Sequence, residues 1–276
     1  MSKKVIKSVG IVARTVRPDI VKKAREVLRF LEGKVDIYID ESLAEALRYS
    51  KRIDWNHPKM EVLITIGGDG TMLYGESLVS GKKIPLLGVK CGRVGFLTEI
   101  DKNMEERFEK LLKGEFFIEE HIKLDIRING EDVGDALNDV VILTATPGKV
   151  QKFSIDIHGD KIDEIVADGV IFSTATGSTA YGMSAGGPLI DPILDAYEIV
   201  PISPYKLSSR PLVVPADTLC RVKILREKDA VLVIDGATQH RVTRKDKIEI
   251  TKSYNKAYFI KFEKDFFNKM KKKLIK

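Results

Sequence analysis

Three glycines, an aspartate and a threonine stand together at Gly67-Gly68-Asp69-Gly70-Thr71, directly after the apolar run Val62-Leu63-Ile64-Thr65-Ile66. Glycine lets a backbone approach a ligand closely, and free N–H groups at such a turn suit phosphate oxygens. Gly67, Gly68, Gly70 and Thr71 are therefore candidate phosphate-binding residues. Asp69 is of the opposite kind, because a carboxylate repels phosphate. It fits chemistry if it takes a proton, accepts a hydrogen bond from a hydroxyl, or meets a metal. A tight turn whose aspartate caps a helix is the plainer account of the same residues.

A second block runs from Asp168 through Thr174-Ala175-Thr176-Gly177-Ser178-Thr179-Ala180-Tyr181 to Ser184-Ala185-Gly186-Gly187-Pro188. Its hydroxyls and backbone N–H groups suit phosphate and ribose oxygens, and Tyr181 can stack on a base. A polar turn between strands has a similar composition. The pair Asn138-Asp139 offers an amide for a base edge and a carboxylate for ribose hydroxyls. Taken alone, Asp235-Gly236, with Gln239 close behind, reads as a hairpin turn.

The elements that must position these residues change character along the chain. An apolar strand at Val5–Val12 leads to a helix opened by Pro18, with Ile20, Ala24, Val27, Leu28 and Leu31 on one face and Gly33 at its end. A strand at Val35–Ile39, a short helix capped by Ser42, the strand before Gly67, a strand at Ile84–Val89 and a helix at Met104–Leu112 follow. Strands alternating with helices predict an α/β domain with a doubly wound, mostly parallel sheet over residues 1–114. From about Glu115 the pattern becomes strict alternation, with Asn129-Gly130 and Gly159-Asp160 as turns. Further strands are predicted at Val140–Leu143, Val170–Phe172, Leu212–Val214, Val222–Leu225, Val231–Ile234, Ile248–Ile250 and Tyr258–Ile260. Residues 115–261 thus read as an all-β sandwich. A basic helix at 262–276 carries Phe266, Phe267, Met270 and Leu274 on one side, and the first domain is where that side is expected to pack.

The 276 residues carry 46 lysines and arginines against 40 acids, a net +6, with 43% hydrophobic residues. That mild excess suits small polyanions and is weak evidence for nucleic acid. The cluster Lys269, Lys271, Lys272 and Lys273 reads as a solvated tail. Two cysteines cannot form a disulfide framework, and the four histidines lack ligand spacing, so no metal site is expected. No apolar run is long enough to span a membrane and no signal-peptide core is visible, which points to a reduced, cytoplasmic protein.

Together the motifs resemble the NAD kinase family. Gly67 to Thr71 matches its Gly-Gly-Asp-Gly-Thr motif, which lipid kinases and phosphofructokinases share. Thr176 to Tyr181, with Ser184 to Pro188, matches a longer and more specific motif, and Gly92 to Thr98 is similar to the loop after the next strand. The resemblance implies transfer of a phosphoryl group from ATP or polyphosphate to the 2′-hydroxyl of the adenosine ribose of NAD. It implies Asp69 as general base and NAD contacts from Asp69, Gly70, Asn138, Asp139, Lys149, Asp168, Thr176, Thr179, Ala180, Tyr181, Ser184 and Gln239. It also implies a homodimer or homotetramer. Mg²⁺ would arrive on the donor phosphates, since no metal cage is visible, and without a Walker lysine pattern the donor must be held by the glycine turns. Three positions depart from the family: Asp139 stands for glutamate, Val166 for an arginine, and Gln239 is offset from Asp235-Gly236. A lipid kinase sharing the first motif and a non-catalytic dinucleotide sensor are the alternatives. The first would need an apolar channel or membrane-facing stretch; the second would have no use for the acid at Asp69.

Overall fold

A computed structural model describes residues 5–92, 95–146, 148–206 and 208–274, with Asp163 through its backbone alone. Two compact units emerge, one of residues 1–120 with 257–276 and the other of residues 121–256.

The first unit opens with β1 (Ser8–Val12), α1 (Pro18–Leu31), β2 (Asp36–Ile39), α2 (Glu41–Leu47), β3 (Val62–Gly67), α3 (Asp69–Val79), β4 (Leu86–Lys90) and α4 (Met104–Leu112). Pro18 stands in the first turn of α1, where its missing N–H costs nothing, and the predicted apolar face is buried. Ser42 is not the cap of α2: the cap is Asp40, and the helix begins at Glu41, two residues earlier than expected. β2, β1, β3 and β4 pair in that order, all in parallel. The chain steps outward from β1 to β2 and then back across to β3. That reversal places a topological switch point between the carboxyl ends of β1 and β3, where open α/β sheets take ligands. β3 is buried along its whole length, as an apolar run without alternation requires.

The second unit holds β5 (Phe117–Ile128, which begins in the first), β6 (Glu131–Ala136), β7 (Asp139–Thr144), β8 (Gln151–Ile157), β9 (Asp160–Ala167) and β10 (Gly169–Thr174). A 3-10 turn at Gly177–Thr179 leads to the single helical turn α5 (Tyr181–Ser184). Then come β11 (Ala196–Ile202), β12 (Leu212–Pro215), β13 (Cys220–Ile224), β14 (Ala230–Ile234), β15 (Thr238–Val242) and β16 (Ile248–Lys261). One antiparallel sheet is ordered β12-β11-β10-β7-β14-β15. The other brings together β6, β5, β16, β13, β8 and β9. Inward residues from both sheets, among them Leu124, Phe153, Phe172, Tyr197 and Leu232, share one core, so the unit is a sandwich.

The two strands expected at Ile248–Ile250 and Tyr258–Ile260 are one long β16, which crosses from the second unit to the first and pairs there in parallel with β4 at Phe259 and Leu86. The turn after β8 is His158-Gly159, one residue ahead of the predicted place, with both residues at positive φ. The chain ends with α6 (Phe266–Leu274), in the first unit. No described helix is long and apolar enough to cross a membrane.

Candidate active site

In the first unit the switch point is occupied by the glycine turn. β3 ends at Gly67, Gly68 precedes the helix in extended conformation, and Asp69 begins α3. Helix N-terminal N–H groups therefore face outward at Asp69 and Gly70, the arrangement that favours anions, while the Thr71 N–H closes the turn by donating to the Gly68 carbonyl at 2.9 Å. The Asp69 carboxylate is itself held by the loop after β4: Oδ2 accepts from the Phe96 N–H at 2.7 Å and Oδ1 from the Leu97 N–H at 3.0 Å. A Cβ at Gly95 would lie 1.9 Å from Oδ1, so only glycine lets the loop close on this side chain. Of the Gly92–Thr98 segment, Arg93 and Val94 lie outside the described residues. The exposed Arg14, just past β1, brings its guanidinium beside Gly70.

In the second unit, Asn138 and Asp139 sit at the start of β7. Their backbone is fixed by one carboxylate, that of Asp235, which accepts from the N–H groups of Leu137 (2.8 Å), Asn138 (2.7 Å) and Asp139 (3.1 Å). Asp235 turns the β14–β15 hairpin with positive φ, as Asp-Gly predicts, and β14 brings it there by pairing Ile234 with Val140. Burial pushes the Asp235 carboxyl up; its three N–H donors and Lys123 act the other way. Asp139 is pushed up to about 7 by burial and by the neighbouring Asp235.

The hydroxyl-rich block packs against the same end of the sheet. Thr174 Oγ1 donates to the Leu137 carbonyl at 2.6 Å and accepts from the Gly177 N–H at 3.1 Å. Ser178 donates to Ala175 and Thr179 to Thr176, while Thr176 Oγ1 lies 2.6 Å from His121 Nδ1. Most of these hydroxyls thus brace the turn, and Tyr181 and Ser184 are the exposed hydroxyl-bearing residues of the block. Beneath them lies Glu198 on β11, fully buried, with neither carboxyl oxygen in a hydrogen bond among the described residues. Added Cβ atoms at Gly182 and Gly187 would come within 2.1 and 2.6 Å of that carboxyl. Burial pushes Glu198 up to about 8.

Within this unit the structure gathers Asn138, Asp139, Thr176, Thr179, Ala180, Tyr181 and Ser184 at one end of the antiparallel sheet, with the exposed Gln239 on edge strand β15 one pair from the Asp235 turn. Asp168 and the exposed Lys149 stand at the other end. Asp168 precedes β10 and Lys149 follows β7, about 20 Å from the Thr176 turn at 3.3 Å per residue. Three residues of the gathered end carry little signal in the sequence. Asp235 reads locally as a hairpin turn beside Gln239, Glu198 shows itself as an acid inside an apolar run, and His121 is one of four scattered histidines.

The ATP-NAD kinase N-terminal domain family matches residues 9–116, and the ATP-NAD kinase C-terminal domain family matches residues 137–262. The chain belongs to the NAD kinase family. It is 40% identical over 272 residues to the NAD kinase of Methanosphaera stadtmanae, covering 97% of this chain and 98% of that one. A crystal structure of an NAD kinase from Archaeoglobus fulgidus in complex with ATP superposes with a TM-score of 0.78 at 29% identity, over 95% of this chain and 96% of that one. Yeast NADH kinase complexed with NADH matches in fold with a TM-score of 0.90, covering 99% of this chain and 88% of that one. NAD kinases are phosphotransferases with an alcohol group as acceptor, and the α/β unit followed by an antiparallel β unit is their fold.

Proposed function

We propose that this chain transfers a phosphoryl group from ATP or polyphosphate to the 2′-hydroxyl of the adenosine ribose of NAD, giving NADP. The observation that carries this reading is Asp69: a carboxylate oriented by two backbone N–H groups at the first residue of a helix, beside a glycine turn at the sheet's switch point. A ribose hydroxyl is a poor nucleophile, so a base beside it and a firm hold on the donor phosphates are what the reaction asks of a protein. In this reading Asp69 is the base. Gly67, Gly68, Gly70 and Thr71 hold phosphate, while Asn138, Asp139 and the Thr176–Ser184 turn hold NAD, with Lys149, Asp168 and Gln239 as further contacts. Among the described residues there is no group of three or more histidine, cysteine, aspartate or glutamate side chains that could hold a metal. Mg²⁺, which prefers phosphate oxygens and its own waters to a protein cage, would neutralise charge as part of the donor. A cytoplasmic homodimer or homotetramer completes the reading.

Incubation with NAD, Mg²⁺ and either ATP or polyphosphate, followed by assay for NADP, tests it. Product with one donor alone assigns the donor. Absence of product with both, while NAD still binds, makes the protein a dinucleotide sensor.

A further inference from the structure

The C-terminal lysines do not form a solvated tail. Lys271 and Lys272 are exposed, but Lys269 and Lys273, one helical turn apart on α6, point back into the first unit. Lys269 Nζ donates to Glu99 Oε2 at 3.0 Å and lies 3.2 Å from Asp265. Burial lowers the Lys269 pKa, but Glu99 and Asp265 outweigh it and the balance is a raised value. Glu99 is also 3.5 Å from the buried Lys261 and accepts the Phe262 N–H at 3.1 Å. Glu99 stands two residues after Leu97, whose N–H holds Asp69. The helix is thereby tied to the loop that holds Asp69, and the Phe96 and Phe266 rings, 6.3 Å apart, add a second tie.

One turn beyond this anchor, the Lys273 ammonium lies 4.0 Å over the Phe96 ring and 3.7 Å from Asp69 Oδ2. A separation of 3.7 Å is too long for a hydrogen bond, so its three N–H donors remain uncommitted among the described residues. Its side chain is 24% exposed and Asp69 is 30% exposed, so both face the place where a donor would approach the turn. The sequence contains no Walker lysine, and the glycine turn itself supplies only neutral N–H groups, so charge comes from side chains that reach it: Arg14 beside Gly70 and Lys273 beside Asp69. Transfer of a phosphoryl group concentrates negative charge on its non-bridging oxygens, which a fixed cation stabilises.

We propose that Lys273 is a catalytic residue of this chain, delivered by α6 to bind the transferring phosphoryl group beside Asp69. The proposal rests on the NAD phosphorylation reading. As the 2′-oxygen attacks, an O–P bond forms and the bond from phosphorus to the donor's bridging oxygen breaks. The electron pair leaves with the donor remnant (ADP from ATP, the shortened chain from polyphosphate), the hydroxyl proton passes to Asp69, and Lys273 stays protonated throughout.

Kinetics of the wild type, Lys273→Met and Lys273→Arg with NAD, ATP and Mg²⁺ test this. Lys273→Met is expected to lower kcat by about 10²-fold, the scale of losing one electrostatic contact to the transition state, with the KM for NAD changed less than threefold. Lys273→Arg is expected to restore at least a tenth of the wild-type rate, which a merely structural role would not predict. Unchanged thermal midpoints keep the result one of catalysis. An active wild type with an indifferent Lys273→Met overturns this proposal alone, and a faster Lys273→Met would make the lysine a lock on Asp69 and overturn it too. A wild type that makes no NADP with either donor overturns the underlying reading and this one with it.

Discussion

Both units place carboxyl groups where a strand gives way to a turn, and they surround them in opposite ways. Asp69 in the first unit is partly open, met by two N–H groups and an ammonium, and stands at a helix N-terminus. Asp139 and Glu198 in the second unit are buried on the face of their sheet turned away from the sandwich core, Asp235 is half-buried in the β14–β15 turn, and among the described residues Asp235 is the one of the three with N–H donors. Burial raises all three. The same side-chain chemistry thus serves two ends. An accessible carboxylate with compensated charge suits proton transfer during a reaction. A buried one that resists ionisation, or spends its oxygens on backbone N–H groups, sets the shape of a turn.

The sharpest way to break this contrast is Asp69→Asn. On the proposed reading the amide keeps the outline of the side chain, gives up one of the two accepted N–H bonds and removes the base, so kcat is expected to fall by about 10²–10⁴-fold with little change in the KM for NAD. Equal losses in both would make Asp69 a binding residue like those of the other unit. Asp235→Ala probes the other side. It leaves the N–H groups of Leu137, Asn138 and Asp139 without an acceptor, at about 1–3 kcal/mol for each that stays buried. Relaxation and water recover part of this, and a loss near 3 kcal/mol is expected in urea unfolding, with a raised KM for NAD and a kcat that moves much less. A variant as stable as the wild type would show that the turn holds without its carboxylate.

The first unit was largely legible in sequence. A short, largely β-branched run apolar on both faces and closed by glycines reads as a buried strand with a strand-to-helix turn at its end, so β3, α3 and Asp69 follow from local pattern. The Asn129-Gly130 hairpin followed in the same way, with both residues at positive φ. The strands that escaped break the local pattern for tertiary reasons. β9 and β15 are edge strands rich in charged and polar residues. β11 contains Glu198 and Pro201; its pairing with β12 stops at Ile199, so the proline's missing N–H falls where no second neighbour needs it. The site followed the same division. Motif residues could be named from sequence, whereas Asp235 meeting Asn138 across 97 positions, or Lys273 meeting Asp69, depends on strand order and on where a helix packs.

Glu198 sharpens the comparison through pH. Its folded-state pKa of about 8 lies above the unfolded value of 4.5, so its contribution to stability is fully present below pH 4.5 and is lost as pH rises toward 8. Glu198→Gln keeps the shape of the neutral acid and cannot ionise. It is expected to match the wild type near pH 4.5 and to exceed it by about 2 kcal/mol at pH 8, a value reduced from the full linkage to allow for relaxation around the charge. Thermal midpoints of the two proteins across that range check the slope. Parallel curves would mean that the carboxyl finds a partner once charged.

Asp139 separates shaping from binding within the second unit. If it accepts ribose hydroxyls, its ionised form is the one that binds NAD, and burial with Asp235 nearby sets the midpoint at about 7. Between pH 6 and pH 8 the ionised fraction rises about tenfold, and the affinity for NAD should rise by the same factor. Asp139→Asn cannot follow that titration, so its affinity should be lower at pH 8 and flat across the range, as isothermal titration of NAD would show. A wild type as flat as the variant would place Asp139 with Glu198 and Asp235 as a residue that shapes the turn, and would leave the hydroxyls of NAD to Asn138 and the Thr176–Ser184 turn.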